Sequence, residues 1–348
     1  MDTTNDLTRA RVLITGGTGF VGSHVAVALA GAGAEVELLD NLCHSSPNVV
    51  DRLSSLTGVD VPLHRVDLRR HEQIPPVFSG APFDAVVHCA GLKSVAESIS
   101  RPLDYYDNNV VGTLNLLRAM DEAGCRRLVF SSSATVYSPV GVPPLDETAP
   151  IGPINPYGRT KSVVEGILEE LCEADPAWSV YNLRYFNPVG AHPSGRIGED
   201  PNTDPANLVP RVLDVALGVK PEIAVYGSDY DTPDGTCIRD YIHVCDLAEG
   251  HVAAVARLDS SAGCRAVNLG TGTGHSVLEV VDSVRRVSGR EVPIRPQGRR
   301  SGDQPISVAD ASLAETELGW SARRGLDEMC GDAWNWRRSN PRGFEENA

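Results

Sequence analysis

Aromatic residues are scarce in this chain of 348 residues, at 5%, and no apolar run approaches the roughly 18–20 residues that a membrane-spanning helix needs. The opening MDTTNDLTRA lacks an apolar stretch of the secretory type, so no signal peptide is expected there. Positive charge is in deficit. With 31 Lys+Arg against 46 Asp+Glu the formal charge is −15, which disfavours nucleic acid and anionic membrane as partners. A local basic pocket for a small anion stays possible. The eight cysteines never fall in CxxC spacing, so neither a zinc site nor a disulfide framework is indicated. Reduced, mostly buried thiols in a cytoplasmic protein are the expectation. What is present, 41% hydrophobic and 22% charged residues, is ordinary for a globular chain of one large or two ordinary domains.

Short β-branched runs alternate with helical patterns over the first 190 residues. The runs are Arg11–Thr15, Glu35–Leu39, Pro62–Val66, Ala85–His88, Leu128–Ser131 and Val180–Tyr185. Apolar residues fill both faces of most of them, as parallel strands covered by helices on each side require. Between them run helical stripes: Val110, Val111, Leu114, Leu117 and Met120, then Val163, Val164, Ile167, Leu168 and Leu171. The pattern predicts a doubly wound α/β fold with a parallel sheet. After Asn187 the character changes. Pro, Gly, Asp and Asn crowd segments 187–207 and 227–237, which predicts a smaller mixed α/β domain over 188–348, with 1–187 as the larger one. A segment near 240–270, such as the run Tyr241–Asp246, is open to returning to the large sheet.

The strand VLIT runs directly into Gly16-x-x-Gly19-x-x-Gly22 and then a helix. Glycines there allow a tight turn, close approach of a pyrophosphate and close helix–strand packing, while the helix N-terminus offers free N–H groups. The next strand ends at Asp40, about 20 residues on, where a carboxylate binds adenosine ribose hydroxyls and repels a 2′-phosphate. NAD is therefore favoured over NADP. Further on, Tyr157 and Lys161 sit at i, i+4 on one helical face, and Ser133 ends the strand LVFSSS. A phenol near pKa 10 needs about 4 kcal/mol to reach neutrality, and a nearby ammonium with a positive nicotinamide ring provides that order of stabilisation. Ser133 is placed to hydrogen-bond the reacting oxygen.

Gly16–Gly22, Ser133 and Tyr157-x-x-x-Lys161 resemble the extended short-chain dehydrogenase/reductases, whose larger domain has the Rossmann fold. Longer strings narrow the resemblance to the UDP-glucose 4-epimerases over nearly the whole chain: DNLCHS (40–45), AGLKSVAES (90–98), YYDNNVVGT (105–113), SSSATVY (131–137), LRYFNPVGAHPSG (183–195), RDYIHVCDLA (239–248) and NLG (268–270). The resemblance implies an NAD site in which Phe20 and Val21 lie under the pyrophosphate. Asp40, Asn41, Leu42, Cys43, His44 and Ser45 would surround the adenosine, with Asp67 and Leu68 flanking the adenine. Cys89, Ala90, Gly91, Lys93, Asn108 and Phe186 would complete the site, with Lys161 on the nicotinamide ribose. It implies substrate contacts at Lys93, Ser133, Tyr157, Asn187, Asn207, Leu208, Ala224, Val225, Tyr226, Arg239, Arg300, Asp303 and Ser307. The arginines suit a diphosphate carrying about two negative charges, which guanidinium groups hold bidentately.

Three departures accompany the match. Cys89 replaces a bulkier aromatic common in relatives, Ser138 replaces a usual Gly, and Ser307 stands where some members have Tyr. In that family Tyr157 takes the C4 hydroxyl proton of a UDP-hexose while hydride passes to NAD+, and return to the other face of the keto sugar inverts the centre. A Tyr at position 307 would exclude an acetamido group at C2; Ser should admit one. Three rival readings compete with this one. A 4,6-dehydratase needs an acid–base pair after Ser133, where Ala134 and Thr135 stand. A 4-epimerase of UDP-pentoses or UDP-uronates shares the same catalytic residues. A non-catalytic NAD sensor would commonly have lost Tyr157 or Lys161. The resemblance also implies a homodimer through the helices of Leu114–Met120 and Val164–Leu171, although those stripes can equally face the sheet.

Overall fold

Apolar residues on both faces of the early strands find helices on both sides. The computed structural model describes residues 7–200, 207–258, 262–300 and 302–345, so part of the Pro/Asn-rich segment 187–207 lies outside the described residues. In chain order the elements of the first half are β1 (Arg11–Thr15), α1 (Phe20–Gly31), β2 (Glu35–Asp40), α2 (Val49–Thr57), β3 (Leu63–Arg65), β4 (Ala85–His88), α3 (Val95–Ser100), α4 (Pro102–Tyr106), α5 (Gly112–Glu122), β5 (Arg127–Ser133), α6 (Pro156–Ala174) and β6 (Ser179–Tyr185). The second half contains β7 (Asn187–Val189), α7 (Leu208–Ala216), β8 (Ile223–Tyr226), β9 (Ile238–His243), α8 (Val244–Arg257), β10 (Gly263–Leu269), β11 (Gly274–Ser276), α9 (Val277–Ser288), β12 (Ile294–Gln297), β13 (Ile306–Ser307) and α10 (Leu326–Ser339).

Seven strands form one sheet in the order β10-β6-β5-β4-β1-β2-β3, every pairing parallel. The order reverses between β1 and β4. Such a switch point opens a crevice at the carboxyl ends of the strands, where ligands of doubly wound sheets bind. One core layer joins the sheet to α1, α2 and α8 through Val25, Leu29, Leu53, Leu247 and Val252. The opposite layer joins it to α5 and α6 through Leu116, Met120, Val164, Leu168 and Phe130. A third cluster packs α7, α9 and α10 around Val212, Val281 and Trp334.

Two expectations need correction. The run Tyr241–Asp246 does not enter the large sheet: β9 pairs with β7, β11 and β13, and Val244 begins α8. It is β10 that completes the large sheet, beside β6. The two helical stripes are also divided. Leu117, Met120, Val164 and Leu168 are buried, whereas Val111 and Val163 are exposed, as are Ile99 of α3 and Leu103 of α4, the last 81% exposed. A residue pair straddling the edge of a helix stripe cannot face one surface with both members. Among the cysteines, Cys43 is exposed, Cys89, Cys245 and Cys264 are half-buried and the other four buried, and all are free.

Candidate active site

The turn after β1 is built from glycine for steric reasons. Gly16 has φ +66, and a Cβ there would stand 2.7 Å from the Ala90 nitrogen. A Cβ on Gly22 would enter the Gly16 carbonyl oxygen. Gly19 caps α1 without any side-chain hydrogen bond, so the first N–H groups of the helix, at Phe20, Val21 and Gly22, face the crevice uncapped. An anionic pyrophosphate suits this cradle. At the end of β2 the buried carboxylate of Asp40 accepts from Thr18 N at 3.2 Å, Leu42 N at 2.8 Å and Ser45 Oγ at 3.2 Å. These bonds fold Asn41, Leu42 (φ +61), Cys43 and His44 into a rim and leave carboxylate lone pairs for a ribose. Asp67 holds Arg69 in a two-point pair at 2.6–3.2 Å, and Leu68 packs beneath, against the α5 layer.

The loop after β4 carries Cys89, Ala90, Gly91 and Lys93. Ala90 N donates to Thr15 Oγ1 at 3.3 Å, and a Cβ on Gly91 would meet Lys161 Nζ at 3.6 Å. Lys93 pairs with Glu199 at 2.7 Å and faces the Phe20 ring at 5.8 Å, bridging the two halves at the mouth. Asn108 donates to the Asn109 side chain at 3.0 Å. Asn109, overlooked in the sequence, is the buried member: it holds Leu92 N and O at 2.8 and 3.0 Å and reaches Thr160 Oγ1 at 3.1 Å. The doubled Asn of YYDNNVVGT was the available signal.

Asn155 caps α6 by accepting from Gly158 N at 2.8 Å, with Pro156 at the first helical position. That cap sets Tyr157 and Lys161 over the end of β5. Lys161 Nζ donates to the Ser131 carbonyl at 2.6 Å and lies 4.6 Å from the Phe130 ring centre, and burial lowers its pKa to about 8. Tyr157 hydrogen-bonds Ser133, whose Oγ also accepts from Thr135 N and Oγ1 at 3.2 and 2.9 Å. In the protein alone the phenol is pushed above its ordinary range, because burial outweighs the help of Ser133.

On the facing side, Phe186 is buried and Asn187 opens β7. Asn207 caps α7 without a side-chain hydrogen bond, with Leu208 at its first position. Ala224, Val225 and Tyr226 lie on β8, paired with β12. Arg300 stacks on Tyr226 at 4.4 Å and pairs with Asp303 at 3.2 Å, while Arg239 on β9 is in register with Ser307 on β13. Ser307 is half-buried.

These features coincide with known proteins. A UDP-glucose 4-epimerase of Bacillus subtilis (strain 168) is 52% identical over 334 residues, covering 96% of this chain and 98% of the relative. A bifunctional UDP-glucose 4-epimerase and UDP-xylose 4-epimerase of Arabidopsis thaliana is 50% identical, covering 96% and 97%. The crystal structure of a UDP-glucose 4-epimerase from Stenotrophomonas maltophila, with bound NAD and formylated UDP-arabinopyranose, superposes with a TM-score of 0.94 at 47% identity, covering 96% and 99%. Residues 12–270 match the model of the NAD dependent epimerase/dehydratase family, and to that family the chain belongs.

Proposed function

We propose that the chain catalyses reversible inversion at C4 of UDP-glucose and UDP-galactose. The observation that carries this reading is the junction of Ser133, Tyr157 and Lys161 at the switch-point crevice, between an uncapped α1 and the Arg239/Arg300 side. NAD, when bound, supplies a reversible hydride acceptor for C4. The α1 N–H groups and Asp40 hold its anionic and ribose ends. Tyr157 takes the C4 proton and returns it, and Thr135 donates to Ser133 so that the Ser133 proton stays directed at the reacting oxygen. Arg239 and Arg300 hold the diphosphate, a handle that does not react, so the flat keto sugar is free to turn. Conversion of UDP-galactose to UDP-glucose by the purified protein tests the reading, and absence of both conversion and bound NAD(H) sinks it. Tyr157→Phe should lower kcat by about 10³-fold or more, roughly 4 kcal/mol, with NAD content unchanged.

Ser307 supports a wider pocket. With no aromatic ring at that position, the three extra heavy atoms of an acetamido group have room, so UDP-N-acetylglucosamine and UDP-N-acetylgalactosamine are also substrates. In a panel of UDP-sugars, turnover of a pentose or uronate ahead of both hexose classes would overturn the assignment. The exposure of Ile99, Leu103, Val111 and Val163 supports a homodimer through α5 and α6. Light scattering showing a monomer at micromolar concentration would count against it. Free thiols and a nucleotide-sugar substrate fit the cytoplasm.

A further inference from the structure

Three consecutive serines end β5, and strand alternation sends the first two to opposite faces of the sheet. On the α6 face, Ser132 Oγ donates to the Glu165 carboxylate. Glu165 is gripped by Arg184 of β6, whose Nη2 donates at 2.7 Å and Nε at 3.1 and 3.2 Å. Both side chains are 5% exposed. The remaining guanidinium donor reaches Tyr137 OH at 3.2 Å and the Glu147 carbonyl at 3.0 Å, and Tyr137 donates to Asn268 at 2.6 Å. On the α8 face, Ser131 Oγ lies 2.6 Å from Tyr185 OH and 3.1 Å from Cys89 Sγ. Tyr185 in turn meets His251 Nε2.

The proton order on that face follows from its inner end. The Leu247 carbonyl, 2.8 Å from His251 Nδ1, can only accept, so in the neutral ring Nδ1 carries the proton and Nε2 accepts from Tyr185. The Tyr185 oxygen then accepts from Ser131, and Ser131 from the Cys89 thiol.

A buried ion pair with this many polar partners is a poor device for stability alone, since well-packed apolar residues usually serve as well or better. Its location suggests another task. Glu165 lies one turn beyond Lys161 on the Tyr157 face of α6, and the backbone carbonyl that receives Lys161 belongs to Ser131 itself. We infer that Ser131 and Ser132 are positioning residues, which tether the end of β5 to Tyr185 and Cys89 on one face and to Glu165 of α6 on the other and so hold Ser133, Tyr157 and Lys161 in register.

This rests on the C4-epimerase reading, and a double-mutant cycle separates the two. Ser131→Ala, Ser132→Ala and Ser133→Ala are made singly, and each of the first two is combined with Ser133→Ala; kcat, KM, bound NAD and Tm are measured with UDP-galactose as substrate. Ser131→Ala and Ser132→Ala should each lower kcat about tenfold with KM and NAD content within twofold, as small misplacements of catalytic groups do. In the Ser133→Ala background each should cost less than twofold more. Ser132→Thr, which keeps the hydroxyl, should recover the Ser132→Ala loss. An unchanged tenfold loss in the Ser133→Ala background, or a lower Tm with kcat intact, overturns the proposal. Full kcat in Ser133→Ala itself overturns the catalytic assignment beneath it. Should Ser132→Ala fail to fold, Ser131→Ala in the same cycle decides on the opposite tether.

Discussion

The two walls of the crevice are made differently. The wall around Gly16–Gly22 has no spare volume: glycine Cβ positions are already occupied by backbone, and Asp40 is engaged by three protein donors. The wall around β8, β12 and the turn before β13 carries Arg300, 55% exposed at its side chain, stacked on Tyr226 and paired with the nearby Asp303. A cofactor that is never exchanged suits the first kind of wall. A substrate that enters, turns and leaves suits the second, where charged side chains change partners. Substitutions should therefore act steeply and together on the cofactor side, and gradually and separably on the other.

The largest contrast is expected from Gly22→Ala. Its methyl group has no place beside the Gly16 carbonyl, so the turn must shift, and the purified variant should carry less than about a tenth of the parent's NAD by absorbance. Parental NAD content would show the wall to be softer than its geometry. Acid probes burial on both sides of the crevice. Burial lowers His24 and His88 to about 3 and His243 and His251 to about 4, against 6.5 for a free imidazole. The unfolded chain thus binds more protons below pH 6.5, and stability present above that pH is lost as pH falls toward 4. Between pH 6.5 and 5.5 each neutral histidine accounts for about 1 kcal/mol, so thermal melts should drop by several degrees. His251→Asn should flatten that dependence, and an unchanged slope would remove His251 from it.

On the open wall, Arg300→Ala should lower kcat/KM for UDP-galactose by about tenfold, mostly through KM, with NAD content unaffected. Loss of NAD in this variant would contradict the separation of the two walls. The smallest effect is expected of Ser307→Tyr on UDP-galactose, where kcat/KM should change by less than about tenfold, or 1.4 kcal/mol. The same variant should lose turnover of UDP-N-acetylgalactosamine. A parent enzyme brisk with UDP-galactose yet inert toward the N-acetyl sugar removes the steric argument.

Legibility in sequence follows the same division. The strands β1, β4, β5 and β6 are apolar on both faces and flanked by turn chemistry, so their positions were readable to within a residue or two. The placing of Gly16, Asp40 and Ser133 at strand ends and of Tyr157 and Lys161 on α6 was readable because local spacing carries it. β11 and β13, three and two residues long, have no period to detect, and β9 reads like a large-sheet strand although its partners come from distant segments. Glu165 with Arg184, and Tyr185 with His251, join residues 19 and 66 positions apart, a relation that no local pattern encodes. The raised pKa of Tyr157 in the protein alone comes from burial, which the i, i+4 spacing of Tyr157 and Lys161 does not encode.

The return of β10 to the edge of the seven-stranded sheet, after the excursion through β7, α7, β8 and β9, bears on how this architecture can be recombined. Neither half is a contiguous gene fragment. A truncation ending at residue 187 would strip β6 of its outer neighbour and leave seven residues of ladder unpaired, an open template for edge-to-edge association. Grafting a different sugar-recognition half onto this scaffold therefore takes three crossover points, one just after β6, one at the entrance to α8 and one just after β10, with α8 and β10 kept from the parent.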